Sequence, residues 1–175
     1  MTRKAKIEKL IYRGWAEGRD LETNQKVLLR WTLPEEEVEY QVFKRRRGLL
    51  LADLVKVVDP SPFRIRPRCS LFGHCGGCAW QNLSYQQELI WKERIVKEIF
   101  EQVAKIDLGG KIKPIIRSKK RYFYRGKTEL TFSLDQEGKL IAGFHQPGRP
   151  EEVVPVNQCF LHRQTTNLAL KGLKK

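Results

Sequence analysis

The chain has 175 residues with 34 Lys and Arg against 20 Asp and Glu, a formal net charge of +14 at pH 7, and 41% hydrophobic residues. That length and composition suit a folded chain of one or two domains and exclude a wholly disordered one. No run reaches the ~18 apolar residues of a membrane-spanning helix and no signal-peptide pattern follows Met1, so we expect a cytoplasmic protein with no membrane partner.

The positive charge is distributed unevenly along the chain. Residues 1–60 carry a net charge of +3, whereas residues 61–175 carry +11. Lys and Arg neutralise phosphates and release condensed counterions, so an excess of this size favours a polyanion, most simply nucleic acid. We expect the basic face to belong mainly to the second half.

The first sixty residues have the pattern of short strands separated by turns, with Gly14 and Gly18 supplying turn positions. The β-rich runs occupy residues 5–12, 26–31, 38–42 and 49–58. Four or five short strands predict a small barrel of the OB type, a fold that often binds oligonucleotides. The proline-rich stretch 59–67 is the expected boundary after the barrel.

The first candidate binding group is the basic turn, which we define as Lys44, Arg45, Arg46 and Arg47. At a strand end these side chains can contact the phosphates of a nucleic acid. A solvated charged turn without a partner is the alternative, and the sequence leaves both open.

All four cysteines lie in the second half of the chain, at Cys69, Cys75, Cys78 and Cys159. Thiols in the cytosol are kept reduced, which disfavours structural disulfides, and three closely spaced thiolates repel one another unless a cation holds them. The spacing fits a 4Fe–4S cluster held by all four, or zinc held by four cysteines or by three with a histidine. The histidines that could complete a zinc site are His74, His145 and His162. Unliganded buried cysteines are the third alternative.

The clearest helix follows the cysteine cluster. Ser84 and Gln87 have the spacing of a capping box. Apolar residues recur every fourth position at Ile95, Ile99 and Val103. We expect this helix to continue to a stop at Gly109 and Gly110, with its apolar stripe in the core.

Three strands are predicted beyond Pro114. Apolar residues alternate at 130–134, a turn follows at 135–138, and residues 140–144 return, which indicates a β-hairpin. A third strand at 153–156 leads to Cys159. If Cys159 is a ligand, this sheet must bring it back to the other three cysteines.

A basic and aromatic segment precedes the hairpin. Residues 105–127 hold nine basic side chains and the single acid Asp107, with Tyr122, Phe123 and Tyr124 among them. Such a composition can hold a nucleic-acid backbone and stack bases. A charged loop whose aromatic residues belong to the core is the alternative. The candidates for RNA contact in this segment are Arg121, Tyr124, Arg125 and Lys127.

These segments together resemble the RNA uracil-5-methyltransferases that carry an iron–sulfur cluster. The matching positions are residues 64–69, Cys75-Gly76-Gly77-Cys78, Gln81, Tyr85, residues 124–127, Gly143-Phe144 and Cys159. The resemblance covers essentially the whole chain, and its Cys-Gly-Gly-Cys pattern is the most specific part. We include Arg64, from the first matching segment, among the candidates for RNA contact.

The resemblance implies a fold that is mostly β with one main helix (α+β). Residues 1–61 would form a TRAM domain, an OB-like RNA-binding barrel, and residues 62–175 an incomplete central domain. In this family four cysteines bind a 4Fe–4S cluster that serves folding and RNA contact rather than redox chemistry. The resemblance carries that role to Cys69, Cys75, Cys78 and Cys159.

The chain also departs from the family pattern. Gly126 stands where the family usually has Asn, and residues 147–150 lack its small-residue-plus-His pattern. The S-adenosylmethionine-binding Rossmann-like domain, the nucleophilic cysteine and the carboxylate base of the family lie downstream of the matching part. We expect no methyl transfer by this chain alone, because attack on the base needs a thiolate and all four cysteines are assigned to the cluster.

The sequence therefore predicts the RNA-recognition portion of an S-adenosylmethionine-dependent RNA (uracil-5-)-methyltransferase that acts on structured RNA, rRNA (23S) rather than tRNA. It would be a fragment, a truncated gene product or one piece of a split enzyme with a separately encoded methyltransferase domain. The alternative is a stand-alone RNA-binding or assembly module with a structural zinc or iron–sulfur site and no catalysis. An electron-transfer ferredoxin fits so basic a chain poorly.

Overall fold

The computed structural model describes residues 1–172, so positions 173–175 of the expected second domain lie outside the described residues. A 3-10 turn spans Tyr12–Gly14 and a π-helix spans Ile99–Val103. The strands and α-helices in chain order are β1 (Arg3–Ile11), β2 (Trp15–Asp20), β3 (Lys26–Arg30), β4 (Glu37–Arg46), β5 (Leu49–Asp59), α1 (Tyr85–Glu98), β6 (Thr131–Leu134), β7 (Leu140–Gln146), β8 (Arg149–Pro155) and α2 (Gln164–Gly172). No helix within residues 1–172 is long and apolar enough to cross a bilayer.

The chain folds as two compact units. The first contains residues 1–66 and 79–116, and the second contains residues 67–78 together with the chain from residue 117 onward. These units follow contacts in space, whereas the domains expected at 1–61 and 62–175 are divisions of the sequence and stay a prediction.

Strands β1 to β5 close into a barrel in the order β1-β2-β3-β5-β4. Neighbouring strands are antiparallel except β3 and β5, which run parallel. Alternate side chains point inward, as the period of a strand requires, and they form the barrel core. The fully buried members include Ala5, Val27, Leu29, Val38 and Tyr40. This barrel, followed by a region of helices and strands, confirms the predicted fold class.

Strand β2 differs from the sequence expectation. The assignment of Gly18 to a turn is wrong, because Gly18 lies within β2 and pairs with Ile7 of β1. A Cβ atom at Gly18 would stand 2.5 Å from the carbonyl oxygen of Lys6. Glycine is needed here for the close approach of two strands rather than for chain reversal.

A buried carboxylate at Asp20 anchors the end of β2. It accepts hydrogen bonds from the Tyr40 hydroxyl at 2.5 Å, from the Thr23 hydroxyl at 2.7 Å and from the Arg3 guanidinium at 2.8 Å. Burial alone would raise the pKa of Asp20, but these partners outweigh it and lower the pKa to about 2. Burial, followed by the bond to Asp20, raises the pKa of Tyr40.

Helix α1 packs against the barrel within the first unit. Trp91 and Ile95 belong to the same buried cluster as Ile7 and Leu10, and Ile99 packs against it, which confirms the predicted core role for these residues. The core role predicted for Val103 is wrong, because its side chain is 76% exposed. Ser84 is the N-cap residue, but its side chain makes no capping hydrogen bond. The backbone N–H of Glu88 instead donates to the Ser84 carbonyl at 2.9 Å.

The predicted continuation of this helix to Gly109 and Gly110 is wrong. The α-helix ends at Glu98. A π-helix follows it directly, and the Ala104 N–H donates to the Ile99 carbonyl at 3.1 Å. Lys105 then adopts a positive φ of 57°. This left-handed residue cannot extend a right-handed helix, so the chain leaves the helix there.

The second unit contains an antiparallel sheet in the order β6-β7-β8. The predicted hairpin is confirmed as β6 and β7. The third strand is longer than expected, since β8 begins at Arg149 and pairs with β7. A Cβ atom at Gly143 would overlap the backbone oxygen of Val154, so β8 lies too close to β7 at this position for a larger residue. Helix α2 was not predicted from the sequence.

Candidate metal centre and nucleic-acid interface

All four cysteines lie in the second unit, as partly buried free thiols. Residues 69–78 form consecutive turns, in which the Phe72 N–H donates to the Cys69 carbonyl at 3.2 Å and the Cys75 N–H to the Leu71 carbonyl at 2.9 Å. Gly73 has a φ of +98°, which glycine adopts without steric cost. The turns therefore place Cys69, Cys75 and Cys78 on one short, compact loop.

Strand β7 holds this cysteine loop in position. The Gly76 N–H donates to the His145 carbonyl at 3.1 Å. A Cβ atom at Gly76 would stand 2.9 Å from that same oxygen, whereas one at Gly77 would meet its nearest neighbour, the Cys75 sulfur, at 3.5 Å. The approach of the loop to the strand therefore requires glycine at position 76. At position 77 there is room for a Cβ atom, so glycine is not required there.

Cys75 interacts electrostatically with cysteines from both ends of the unit. Burial is the largest cause that raises the pKa of Cys75, and the neighbouring Cys159 and Cys69 raise it further. The Gly77 N–H donates to the Cys75 sulfur at 3.4 Å and opposes this shift. The tertiary structure thus brings Cys159 within electrostatic range of a loop that ends 81 positions earlier in the chain.

The loop that carries Cys159 is held by Asn167 of α2, which is buried. The Asn167 side chain accepts a hydrogen bond from the Cys159 N–H at 2.8 Å and donates to the Cys159 carbonyl at 3.0 Å. The same amide nitrogen lies 3.3 Å from the His162 carbonyl and 3.4 Å from that of Arg163. No sequence pattern points to Asn167, because an Asn eight positions after a cysteine forms no known ligand spacing.

Arg68 links the two segments that carry Cys69 and Cys159. Its guanidinium carbon lies 5.2 Å from the ring centroids of Tyr122 and Phe123 and 4.8 Å from that of Phe160. The Phe123 N–H also donates to the Phe160 carbonyl at 2.8 Å. Cation–π contacts at exposed sites contribute about 0.5–1 kcal/mol each. Several weak contacts therefore hold residues 68 and 160 together.

The histidines considered as zinc ligands have different surroundings. His145 lies 2.8 Å from the Thr131 hydroxyl through Nε2. His162 is 1% exposed, packs edge-on against Phe144, and has no hydrogen-bond partner at either ring nitrogen among the described residues. Burial and the charge of Arg125 lower its pKa. Within residues 1–172 no three His, Cys, Asp or Glu side chains are grouped so that they could hold a metal ion.

The donor set nevertheless suits an iron–sulfur cluster chemically. Fe–S clusters are bound by four cysteine thiolates, and N–H groups that point at the sulfurs adjust their properties. The second unit supplies four free cysteines, and the Gly77 N–H points at the sulfur of Cys75. A cluster has one thiolate on each iron and so spreads its ligands more widely than a single ion does.

The basic turn is exposed at the end of β4. Lys44, Arg45 and Arg46 pair with residues 51, 50 and 49 of β5, and Arg47 with Gly48 forms the reversal at positive φ values of 47° and 77°. A β-hairpin therefore presents these four cations together, as the strand pattern predicted. Whether they contact RNA stays a prediction.

Arg64 has a structural partner. Its guanidinium donates to the buried Glu36 carboxylate at 2.5 and 2.7 Å and to the Trp31 carbonyl at 2.9 Å. Glu36 also accepts the backbone N–H groups of Leu33 at 2.8 Å and Ser61 at 3.3 Å. The structure thus uses Arg64 to join the end of the barrel to the chain that leaves it.

The other RNA-contact candidates lie in the second unit with differing exposure. Tyr124 is exposed, and Lys127 forms an exposed ion pair with Glu129 at 2.6 Å. The Arg125 backbone bonds to the Leu161 carbonyl at 2.8 Å. The guanidinium carbon of Arg121 lies 5.8 Å from the Tyr122 ring. Tyr124 is the aromatic residue among these four candidates, and its exposed ring is available for stacking.

Comparison with known proteins yields relatives with one shared description. No family model matches the chain. An uncharacterized RNA methyltransferase of Caldanaerobacter subterraneus subsp. tengcongensis is 35% identical over 158 residues, which cover 88% of this chain and 33% of the relative. Uncharacterized RNA methyltransferases of Bacteroides thetaiotaomicron and Synechocystis are each 32% identical, over 81% and 82% of this chain and 34% and 31% of the relatives.

A solved structure shares the fold. The tRNA (uracil-54, C5)-methyltransferase of Pyrococcus abyssi, in complex with S-adenosyl-L-homocysteine, superposes with a TM-score of 0.65. The match covers 97% of this chain and 35% of that protein at 21% sequence identity, a likeness of fold.

The chain falls in a class of proteins related to RNA-modifying enzymes. This class follows from the likeness of its fold to a solved RNA methyltransferase and from its similarity to the curated relatives. Over 81–88% of its length the chain is similar to the RNA methyltransferases that the curated relatives represent. It spans about one third of the length of the relatives it matches.

Proposed function

We propose that this chain is the RNA-recognition portion of an S-adenosylmethionine-dependent RNA (uracil-5-)-methyltransferase. The observation that carries the proposal is the match to RNA methyltransferases over 88% of the chain. The net charge of +14 supports an RNA partner. The likeness to a tRNA uracil methyltransferase that binds S-adenosyl-L-homocysteine supports the reaction class and the methyl donor.

We also propose that Cys69, Cys75, Cys78 and Cys159 bind a 4Fe–4S cluster. The electrostatic proximity of Cys75 to both Cys69 and Cys159 supports a shared site. When bound, the cluster would covalently join two segments that are distant in sequence. The chain itself contributes the glycine-dependent docking of residues 69–78 on β7 and the Asn167 clamp on Cys159.

The proposed role of the protein residues is to bind and orient RNA. The basic turn offers four clustered cations on a β-hairpin, and Tyr124 offers an exposed ring in the basic segment of the second unit. Phosphate contacts supply affinity, while stacking on aromatic rings selects unpaired bases. Arg64 contributes indirectly, by fixing the chain that leaves the barrel.

The first experiment measures metal and sulfide in protein purified without oxygen. About four irons and four sulfides per chain, with broad visible absorption, are expected of a cluster with four cysteine ligands. Cys159→Ser should lower the iron content while leaving the barrel folded. One zinc and no sulfide would overturn the cluster and favour the stand-alone RNA-binding module.

The second experiment tests the RNA partner. The chain should bind a transcript of folded 23S rRNA more tightly than an unrelated tRNA, with affinity that falls steeply as salt rises. Methyl transfer from labelled S-adenosylmethionine should be absent with this chain alone and appear when a separately supplied methyltransferase domain is added. Salt-independent binding, or equal affinity for both RNAs, would contradict the proposed recognition role.

A further inference from the structure

Phe43 of β4 is an aromatic side chain at a break in the strand ladder. Val42 pairs with Ala52 and Lys44 with Leu51, so Phe43 is the extra residue of a β-bulge. A bulge leaves its extra residue unpaired and redirects the side chain, and bulges are frequent beside functional sites. Phe43 is 51% exposed. Single exposed apolar residues are common, so the surroundings decide whether this one has a role.

A cavity of about 790 Å³ lies beside Phe43 in the first unit. Such a volume is within the range of about 300–1,000 Å³ that small-ligand sites occupy. The residues that line this cavity include Arg3, Glu22, Phe43, Lys44 and Arg45. We call this concave surface the Phe43 cavity.

The Phe43 cavity is lined by more basic side chains than acidic ones. Arg3 is paired with Asp20 at 2.8 Å, and Glu22 is the acidic residue of the lining. Lys44 and Arg45 are exposed and form no ion pair within the part of the chain that the structure describes. A ligand that suits this surface must combine a flat apolar face with negative charge.

We propose that the Phe43 cavity binds an unpaired nucleotide of single-stranded RNA, its base stacked on the Phe43 ring and its phosphates at Lys44 and Arg45. Every base has a π-face, so stacking on an aromatic ring tolerates any sequence. A paired base keeps its faces covered by its neighbours and cannot enter. The inference rests on the proposed function, because it assigns one contact of the RNA partner.

The test is the affinity of the full chain for a labelled single-stranded RNA of ~12 nucleotides, within the usual site size of an OB-like barrel. Phe43→Ala should weaken binding about 5- to 150-fold, as loss of one base–aromatic stack predicts. Phe43→Trp should retain affinity, and RNA should quench its added fluorescence. The matched control is Tyr12→Ala, which removes another exposed aromatic residue of the barrel outside the cavity.

Salt dependence separates the stacking role from the charge role. Lys44→Ala and Arg45→Ala should each reduce the slope of log affinity against log salt by about 0.7, the value for one phosphate contact on a single strand. Phe43→Ala should leave that slope unchanged, because it removes no charge. Binding of a fully paired RNA duplex should be insensitive to Phe43→Ala.

The outcomes distinguish this inference from the proposed function. Tight RNA binding by the wild type with equal binding by Phe43→Ala would overturn the nucleotide site and leave the recognition role intact. Absence of any RNA binding by the wild type would overturn both. If Phe43→Ala alters self-association in sedimentation but not RNA affinity, the cavity is a protein interface and the inference is wrong.

Discussion

The side-chain amide of Asn167 pairs with the backbone of Cys159 in both directions, accepting its N–H at 2.8 Å and donating to its carbonyl at 3.0 Å. This geometry imitates the exchange of hydrogen bonds between two strands. It fixes the backbone from which the fourth cysteine projects, without any contribution from the thiol itself. The position of Cys159 therefore depends on Asn167, which is not itself one of the proposed cluster ligands.

The Asn167 clamp yields the first prediction. Asn167→Asp keeps the size of the side chain and the acceptor for the Cys159 N–H, but it loses the donor to the Cys159 carbonyl and places two oxygens against each other. We expect iron content per chain to fall at least about twofold, since an unpaired buried acceptor costs about 1–3 kcal/mol. Iron and sulfide analysis with a visible spectrum measures it.

The control for this prediction lies on the same helix. Gln164→Glu makes the same amide-to-carboxylate change at the exposed first residue of α2 and should leave iron content at the wild-type level. Equal iron in Asn167→Asp and wild type would show that the clamp does not position Cys159 for ligation.

Gly76 and Gly77 provide a second prediction with a built-in comparison. Gly76→Ala places a methyl group 2.9 Å from the His145 carbonyl, whereas Gly77→Ala meets only the Cys75 sulfur at 3.5 Å. We expect Gly76→Ala to detach residues 69–78 from β7 and to reduce iron uptake, and Gly77→Ala to retain most of it. Amide exchange of the Gly76 segment in metal-free protein measures the detachment directly. Similar exchange rates in both variants would contradict the proposed docking.

Asp20 makes the stability of the barrel depend on pH. Its pKa is lowered from 3.8 to about 2 in the folded chain, so the stabilisation is present above the unfolded pKa and is lost as pH falls towards 2. At about 1.36 kcal/mol per pH unit the difference is about 2 kcal/mol. Urea unfolding followed by Trp fluorescence between pH 5 and pH 2 measures this loss, because pH 5 lies above the unfolded pKa of 3.8 and pH 2 lies near the folded pKa of about 2.

The variant Asp20→Asn removes the titrating group from this network. Its unfolding free energy should be lower than that of the wild type at neutral pH and should vary less between the two acidic pH limits. Asp59→Asn, at the exposed end of β5, is the matched control and should keep the wild-type slope. A wild-type slope in Asp20→Asn would assign the acid sensitivity to other carboxylates.

Arg64 yields a prediction about stability rather than RNA contact. Arg64→Met leaves the buried Glu36 carboxylate without its guanidinium partner, and breaking a buried pair on one side costs about 3–5 kcal/mol. The double variant Glu36→Gln with Arg64→Met should recover part of that loss, because no buried charge remains. Thermal unfolding of the two variants measures the difference. An unchanged midpoint in Arg64→Met, with weaker RNA binding, would instead restore Arg64 to the RNA interface.

Local patterns in the sequence were sufficient for several elements of the fold. Strand alternation at residues 38–42 and the apolar returns at 130–134 and 140–144 predicted β4, β6 and β7, because inward and outward positions of a strand repeat every two residues. The four cysteines were identified as candidate ligands because residue type and spacing are read directly from the sequence. Helix α1 was found from its period, but its end was misplaced.

Tertiary structure alone decided which distant residues meet. Gly18 could be recognised as a strand residue only from the close approach of β1, and the bulge at Phe43 only from the register against β5. The Asn167–Cys159 pairing and the ion pair of Arg64 with Glu36 likewise join atoms whose proximity no local period encodes. The sequence by itself determined element types and the inventory of reactive groups, since these follow from local periodicity and side-chain chemistry. Chain folding determined the partners, because hydrogen bonds and charges act between neighbours in space.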